Sequence, residues 1–427
     1  MYKGSFTRRR KEMKKIKSLA SVIALGTVLV LSGCSGGQTT PATAVKDPAP
    51  AQEAKYKEGI YFAQSDFDGG WKYTATIEVK DGKIVTADWN GANEKGGPDK
   101  DTFSASGQYG LVAKGKAQAE WHEQAQKAEA YLIETQDPTK ITFKDNEGHT
   151  DDIAGVSIHV NEFFDLAKQA LDAGPVGKGP YQDGAYYAED AMYGSGGWKY
   201  FASLTVINGN IVAADWNGLN VNGGKDKDTL SADGEYGLVE KGKAQAEWHE
   251  QAKKAEAYLL KTQDPTKITY KDDAGHTDDI AGVSIHVVEF FDLAKAALDK
   301  GPIAQGSYKD GIYYAAEEAF KGGWKYMTSI VVKNGTIVGV DWNGIPEDAT
   351  KPNKDVQSTE GDYKLAPGNQ GEWAVQAQKA EAYLLKTQDP TKINYKDDAG
   401  HSDDIAGVSV TVGEFFKLAQ KALEGAK

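Results

Sequence analysis

The stretch Asp-Asp-Ile-Ala-Gly-Val-Ser stands at residues 151–157, 278–284 and 403–409, each time after a Gly-His pair and before a Phe-Phe-containing amphipathic run. Two more signatures keep the same rhythm: Gly-Gly-Trp-Lys-Tyr starts at Gly69, Gly196 and Gly322, and Asp-Trp-Asn-Gly starts at Asp88, Asp215 and Asp341. The period of about 127 residues is too long for a solenoid unit and is the size of an independent domain. A chain built this way folds as three tandem copies of one domain. Its function is then expected three times over, because the Ser-ending stretch stays intact while the surrounding loops diverge.

Each copy reads as strands followed by helices. Around Asp81-Gly82, Asn208-Gly209 and Asn334-Gly335, alternating apolar runs flank a two-residue turn, a strong hairpin signal. Residues 116–134 place Trp121, Ala125, Ala128 and Leu132 on one helical face that ends near Asp137-Pro138, and Phe163, Leu166, Ala167, Ala170 and Leu171 form a second stripe. The class is therefore α+β, with domains at 56–172, 181–299 and 308–427. The Pro/Gly segments 174–180 and 301–306 read as flexible linkers.

The N-terminus carries eight basic residues and one acidic one before an apolar run from Leu19 to Leu31. That is the pattern of a signal peptide over residues 1–33, and the run falls short of the roughly 20 residues of a membrane span. Met13 could serve as the start, since Lys14, Lys15 and Lys17 already supply a basic leader. Residues 34–55, rich in Ser, Gly, Thr, Pro and Ala, read as a disordered tether with an r.m.s. reach of roughly 25 Å. Removing the leader's net +7 from a formal charge of −13 leaves −20, a balance that disfavours nucleic acid and anionic lipid as partners.

Several chemistries fail on the repeated stretch. A Ser-His-Asp hydrolase from Ser157, His159 and Asp151 would need the histidine in every copy, yet copy three has Thr411. A calcium loop over residues 145–152 lacks a carboxylate at its first position, and copy two has Ala274 inside it. Zinc through His149, Asp151 and Asp152 stays open, without cysteine or paired-histidine spacing to support it. His122 and His249 become Ala374 in copy three, so they are not shared either. The nine tryptophans divide three per copy; most read as core, with one wall of a planar ligand site as the alternative.

What remains is a hydroxyl on an extended stretch. Alternation puts Val156, Ile158 and Val160 on one face and Ser157 on the other. Gly155 lets a bulky group approach the backbone, and the next helix, with Asn161 or Gly413 as N-caps, presents N–H groups that favour an anion. A phosphate-bearing ligand at the serine fits this layout, beside the plainer reading of a strand-to-helix turn.

These residues resemble the flavinylation signature of the FMN-binding domain family: Asp, two variable residues, Ser or Thr, Gly, Ala, Thr. The resemblance implies FMN joined by a phosphoester to Ser157, Ser284 and Ser409, with Gly155, Gly282, Gly407, Asp151, Asp278 and Asp403 completing the motif. It further implies a separate magnesium-dependent flavin transferase as partner, with the aspartates as transferase-recognition or magnesium-proximal groups. This chain departs from the family at Ala154, at Val156 and in having Ser157 where Thr is usual; serine keeps the nucleophilic oxygen but loses the β-branch.

Leu31-Ser32-Gly33-Cys34 resembles the lipobox of bacterial lipoproteins, which implies diacylation of Cys34, the only cysteine. Two acyl chains give a lasting anchor to the outer face of a bilayer. Over residues 13–427 the chain is similar to flavinylated lipoproteins of Gram-positive extracellular electron transfer. That resemblance implies a non-enzymatic carrier between a membrane electron donor and extracellular acceptors such as ferric iron. A surface lipoprotein holding a non-covalent small ligand or a cell-wall partner is the alternative.

Overall fold

A computed structural model describes residues 55–427. The readings placed on the signal segment, Met13, Cys34 and all but the last residue of the tether lie outside the described residues. Each repeat is a three-stranded antiparallel sheet in chain order followed by helices. Repeat one has β1 (Gly59–Gln64), β2 (Trp71–Lys80), β3 (Lys83–Asn93), α1 (Lys100–Ala105), α2 (Leu111–Gly115), α3 (Trp121–Thr135) and α4 (Asn161–Ala173). Repeat two follows with β4 (Gly184–Glu189), β5 (Trp198–Ile207), β6 (Asn210–Asn220), α5 (Lys227–Ala232), α6 (Leu238–Gly242), α7 (Trp248–Thr262) and α8 (Val288–Lys300). Repeat three has β7 (Gly311–Ala316), β8 (Trp324–Lys333), β9 (Thr336–Pro346), α9 (Lys354–Glu360), α10 (Trp373–Thr387) and α11 (Gly413–Ala422). It lacks a counterpart of α2 and α6.

The hairpins form where the sequence places them. Asp81 and Gly82 have φ of 50° and 73°, so the turn needs two left-handed residues, and Asp-Gly or Asn-Gly supplies them. The central helix differs from expectation in its start. It begins at Trp121 rather than Lys116, because Lys116 closes α2 in a left-handed conformation and Glu120 forms a capping box with Glu123. Asn161 and Gly413 are not N-caps either: they are the first helical residues, and Val160 and Val412 cap with backbone alone. The stretch around Ser157 makes no strand ladder, although its inward-outward alternation holds, with Val160 fully buried and Val156 and Ile158 packed on the core.

In each repeat α3, α7 or α10 and the following long helix cover one face of the sheet. Trp89 lies at the centre of repeat one, stacked on Phe163 at 5.4 Å and edge-on to Trp121 at 5.1 Å. Trp216 and Trp342 repeat that arrangement.

The linkers differ from the flexible segments the sequence suggested. Val176 and Gly177 donate to Ile60 O, and Gly179 donates to Asn208 O, so the first linker is stitched to both repeats it joins. The second is held alike, through Ile303 N to Ala185 O and Gly306 N to Asn334 O. A Cβ on Gly179 would fall 2.2 Å from Gly209 O, so only glycine allows this approach.

The repeats also bury surface against one another. Ala92 of repeat one packs with Ile207, Val212 and Ala213 of repeat two, and Tyr187, Tyr193 and Phe201 of repeat two pack with Met327 and Val331 of repeat three. Repeats one and three meet through Asp310 N on Gln108 Oε1 at 2.6 Å. At the second interface Lys199, 1% exposed, pairs with Glu189 at 2.8 Å and Asp341 at 3.6 Å and donates to Val340 O. Among the described residues no helix is long and apolar enough to cross a membrane.

Candidate functional site

Ser157 and Ser284 are exposed and Ser409 is half-buried. Each sits on a loop whose backbone is held by one buried glutamine amide. Gln124 Oε1 accepts Ser157 N at 2.7 Å, Ile158 N at 3.3 Å and the Ser157 hydroxyl at 3.2 Å. Gln251 does the same for Ser284 and Gln376 for Ser409. The glutamine is fixed in turn, its Nε2 donating to Ala119 O one turn below. A side chain with its rotamer locked from both ends presents its oxygen at one place.

One turn further along the same helix stands a lysine, on the same face by the i, i+3 rule. Lys127 Nζ donates to Gly155 O at 3.0 Å, Lys254 to Gly282 O at 3.1 Å and Lys379 to Gly407 O at 3.0 Å. Gly155 has φ of 73°, and a Cβ there would lie 2.7 Å from Lys127 Nζ. The glycine is favoured by its left-handed backbone conformation, and a side chain there would also displace the mobile end of Lys127. The result is an exposed hydroxyl, an acceptor aimed at its proton, and a cation two residues upstream. Lys127 is the one cation among these partners, and it is engaged by the Gly155 carbonyl.

Asp151, the remaining motif residue, is not part of that constellation. Its side chain is 83% exposed and pairs with Lys144 at 3.2 Å, and Asp278 and Asp403 pair with Lys271 and Lys396 alike. The aspartate after it is structural: Asp152 Oδ2 accepts Thr142 N at 2.7 Å. His149 Nδ1 is held by Asp145 Oδ2 at 2.8 Å. The three groups weighed as zinc ligands are thus each committed to separate partners.

Two of the three tryptophans of repeat one, Trp71 and Trp121, help to surround a buried lysine. Lys100 Nζ lies 4.6 Å from the Trp71 ring, 4.4 Å from Tyr73, 4.8 Å from Tyr109 and 5.0 Å from Trp121, and donates to Tyr73 Oη at 2.7 Å. Burial lowers its pKa to about 7. Lys227 and Lys354 fill the equivalent cages. His122 also has a structural task, joining α3 to Ser104 of α1.

Sequence reasoning missed a half-buried acid cluster behind the hairpin of repeat one. Oxygens of Asp88, Asp101 and Glu129 all lie within 4.8 Å of one another, a spacing a divalent cation could bridge. Burial, reinforced by the neighbouring carboxylates, raises Asp88 to about 6, Asp101 to about 7 and Glu129 to about 8. Glu129 still accepts Trp89 N at 2.9 Å. In repeat three the corresponding Asp341 receives Lys199 from repeat two.

No family model and no curated protein matches the sequence. Two solved structures are similar to parts of it. A solution NMR structure of a protein from Clostridium thermocellum is 52% identical over 27% of this chain and 90% of that one, with a TM-score of 0.23. The crystal structure of the CPE2226 protein from Clostridium perfringens is 23% identical over 29% of this chain and 89% of its own, also with a TM-score of 0.23. Neither protein's name states an activity or a ligand.

Proposed function

We propose that this chain is a carrier of covalently attached FMN, with phosphoesters on Ser157, Ser284 and Ser409. A separate flavin transferase would install them, and a diacylated Cys34 would hold the protein at the extracellular face of the membrane. In this reading electrons arrive from a membrane donor and leave to acceptors such as ferric iron. The observation that carries it is the threefold recurrence of one constellation: a serine hydroxyl, a buried glutamine oxygen on its proton, and a lysine at the glycine two residues before it.

Bound flavin supplies the redox chemistry, and the chain's own residues supply attachment, orientation and electrostatics. Gln124 fixes the rotamer of Ser157 through the loop amides as well as the hydroxyl. Gly155 keeps the approach open, and Lys127 can turn from a carbonyl to an anionic oxygen, a stronger partner. Asp151 stands outside, where a second protein can reach it. Because the repeats are packed together and their linkers are hydrogen-bonded, the spacing between serines is set by interfaces rather than by linker diffusion.

Intact mass of protein made with a transferase tests the assignment. Ser→Ala at 157, 284 or 409 should each remove one FMN increment; retention of every increment after any one change takes that serine off the list. The alternative, a non-covalent ligand, has one observation in its favour, a cleft of about 280 Å³ between repeats one and two lined by Phe67, Asp215, Lys253 and Leu260. A ligand there would be released by acid precipitation, whereas a phosphoester would stay with the pellet.

A further inference from the structure

The three serines are not equivalent. In repeats one and two the glutamine is the serine hydroxyl's one partner among the described residues, and the serine is exposed. In repeat three Gln370 N donates to Ser409 Oγ at 3.0 Å, and Ser409 Oγ lies 3.0 Å from Asn369 Oδ1 as well as 3.2 Å from Gln376 Oε1. One lone pair is thus taken and the single proton has two acceptors.

The cause lies in the chain before α10. Repeats one and two have a short helix there, pinned because the Glu120 carboxylate accepts both Leu111 N and Val112 N, and Glu247 does the same for α6. Repeat three has two residues fewer between the corresponding leucine and tryptophan, Leu365 to Trp373 against Leu111 to Trp121. It carries Pro367-Gly368-Asn369-Gln370 in place of the helix, and Val375 instead of the Glu123 that completes the capping box. The freed loop folds over the serine, where Asn369 is steadied by its own Nδ2 on Ala366 O.

The geometry points to Asn369 and Gln370 as specificity-determining residues that latch Ser409 and make it a slower acceptor than Ser157 and Ser284. This inference rests on the flavin reading above. In the transfer, Ser Oγ forms a bond to the FMN phosphorus of FAD, the anhydride P–O bond breaks, AMP leaves with the bridging oxygen, and the serine proton passes to the transferase or solvent. Attack requires a free lone pair on Oγ. At Ser409 the Gln370 amide holds one of the two, and Asn369 Oδ1 lies 3.0 Å from the same oxygen. Undoing two hydrogen bonds of ordinary strength corresponds to a rate lower by roughly tenfold.

The test is a time course with the full mature chain, FAD, magnesium and a flavin transferase, read by mass on the three serine-bearing peptides. Ser157 and Ser284 should fill together and Ser409 roughly tenfold later, and the variant N369A/Q370P, which removes both contacts, should bring Ser409 up to the others. Equal rates in the unmodified sequence, or a Ser409 still slow in that variant, would overturn the latch. Absence of flavin from all three peptides, with a control acceptor modified, would instead overturn the reading beneath it, and the latch with it. In protein without flavin, exchange of the Gln370 amide should be slowed and should speed up in Asn369→Ala and Ser409→Ala; unprotected exchange from the outset counts against the latch.

Discussion

At the scale of single residues, the serine is the least informative member of its own site. Its hydroxyl stood out once the copies were compared, but Gln124, which holds it, and Lys127, which holds the Gly155 carbonyl, lie thirty or more residues away on α3. The signal was present: Gln-Ala-x-Lys recurs at Gln124, Gln251 and Gln376. Only folding shows that the apolar face of that helix is interrupted by a buried amide. Gln124→Ala should leave Ser157 N and Ile158 N without a partner, destabilising repeat one by about 1–3 kcal/mol and lowering flavin on Ser157 alone. Peptide mass compared across the three sites checks this, and equal loss at all three would argue for a global effect instead. Lys127→Met should keep the fold, since the lysine is exposed, while slowing flavin loading of Ser157.

At the scale of elements, hairpins and helices followed their local chemistry closely. What escaped was anything set by a contact from elsewhere. Helix α3 starts at Trp121 because Glu120 caps it and also holds α2, a double role no periodicity reveals. The acid cluster is similar: Asp88 belongs to a repeated Asp-Trp-Asn-Gly stretch, Asp101 to α1 and Glu129 to α3, and nothing in their spacing announces that they converge.

That cluster carries a pH signature. Its folded pKa values, about 6 for Asp88, about 7 for Asp101 and about 8 for Glu129, lie above ordinary unfolded values near 4. The native state therefore holds protons that the unfolded chain releases. The contribution is complete below about pH 4 and is lost as pH rises through about 8. Asp101→Asn should flatten this slope and stabilise the protein at pH 8 by on the order of 1 kcal/mol, read from thermal unfolding between pH 4.5 and 8.5. An unchanged slope would mean the cluster is neutralised some other way.

At the scale of the whole molecule, three domains were legible and their union was not. In repeat one the alternation of β2 leaves Glu78 half-buried and Lys80 exposed. The middle repeat breaks the pattern: Phe201, Leu204 and Val206 of β5 and Ile211, Val212, Ala213 and Ala214 of β6 are all buried. A strand apolar on both sides needs cover on both sides, so this run was the available clue that repeat two is sandwiched between its neighbours. Lys199 is the polar centre of one of those interfaces. Lys199→Met should leave Asp341 buried without its cation and cost about 3–5 kcal/mol, appearing in calorimetry as a repeat-three transition separated from the rest. A single unshifted transition would place the interface strength in the apolar contacts around Tyr193 and Met327.

The central claim is that the three serines are attachment points. Mature chain produced with an active flavin transferase, acid-precipitated and run on a denaturing gel, should give a flavin-fluorescent band that vanishes in S157A/S284A/S409A. A dark band from the unaltered sequence beside a fluorescent control acceptor, or fluorescence that persists in the triple variant, would contradict it.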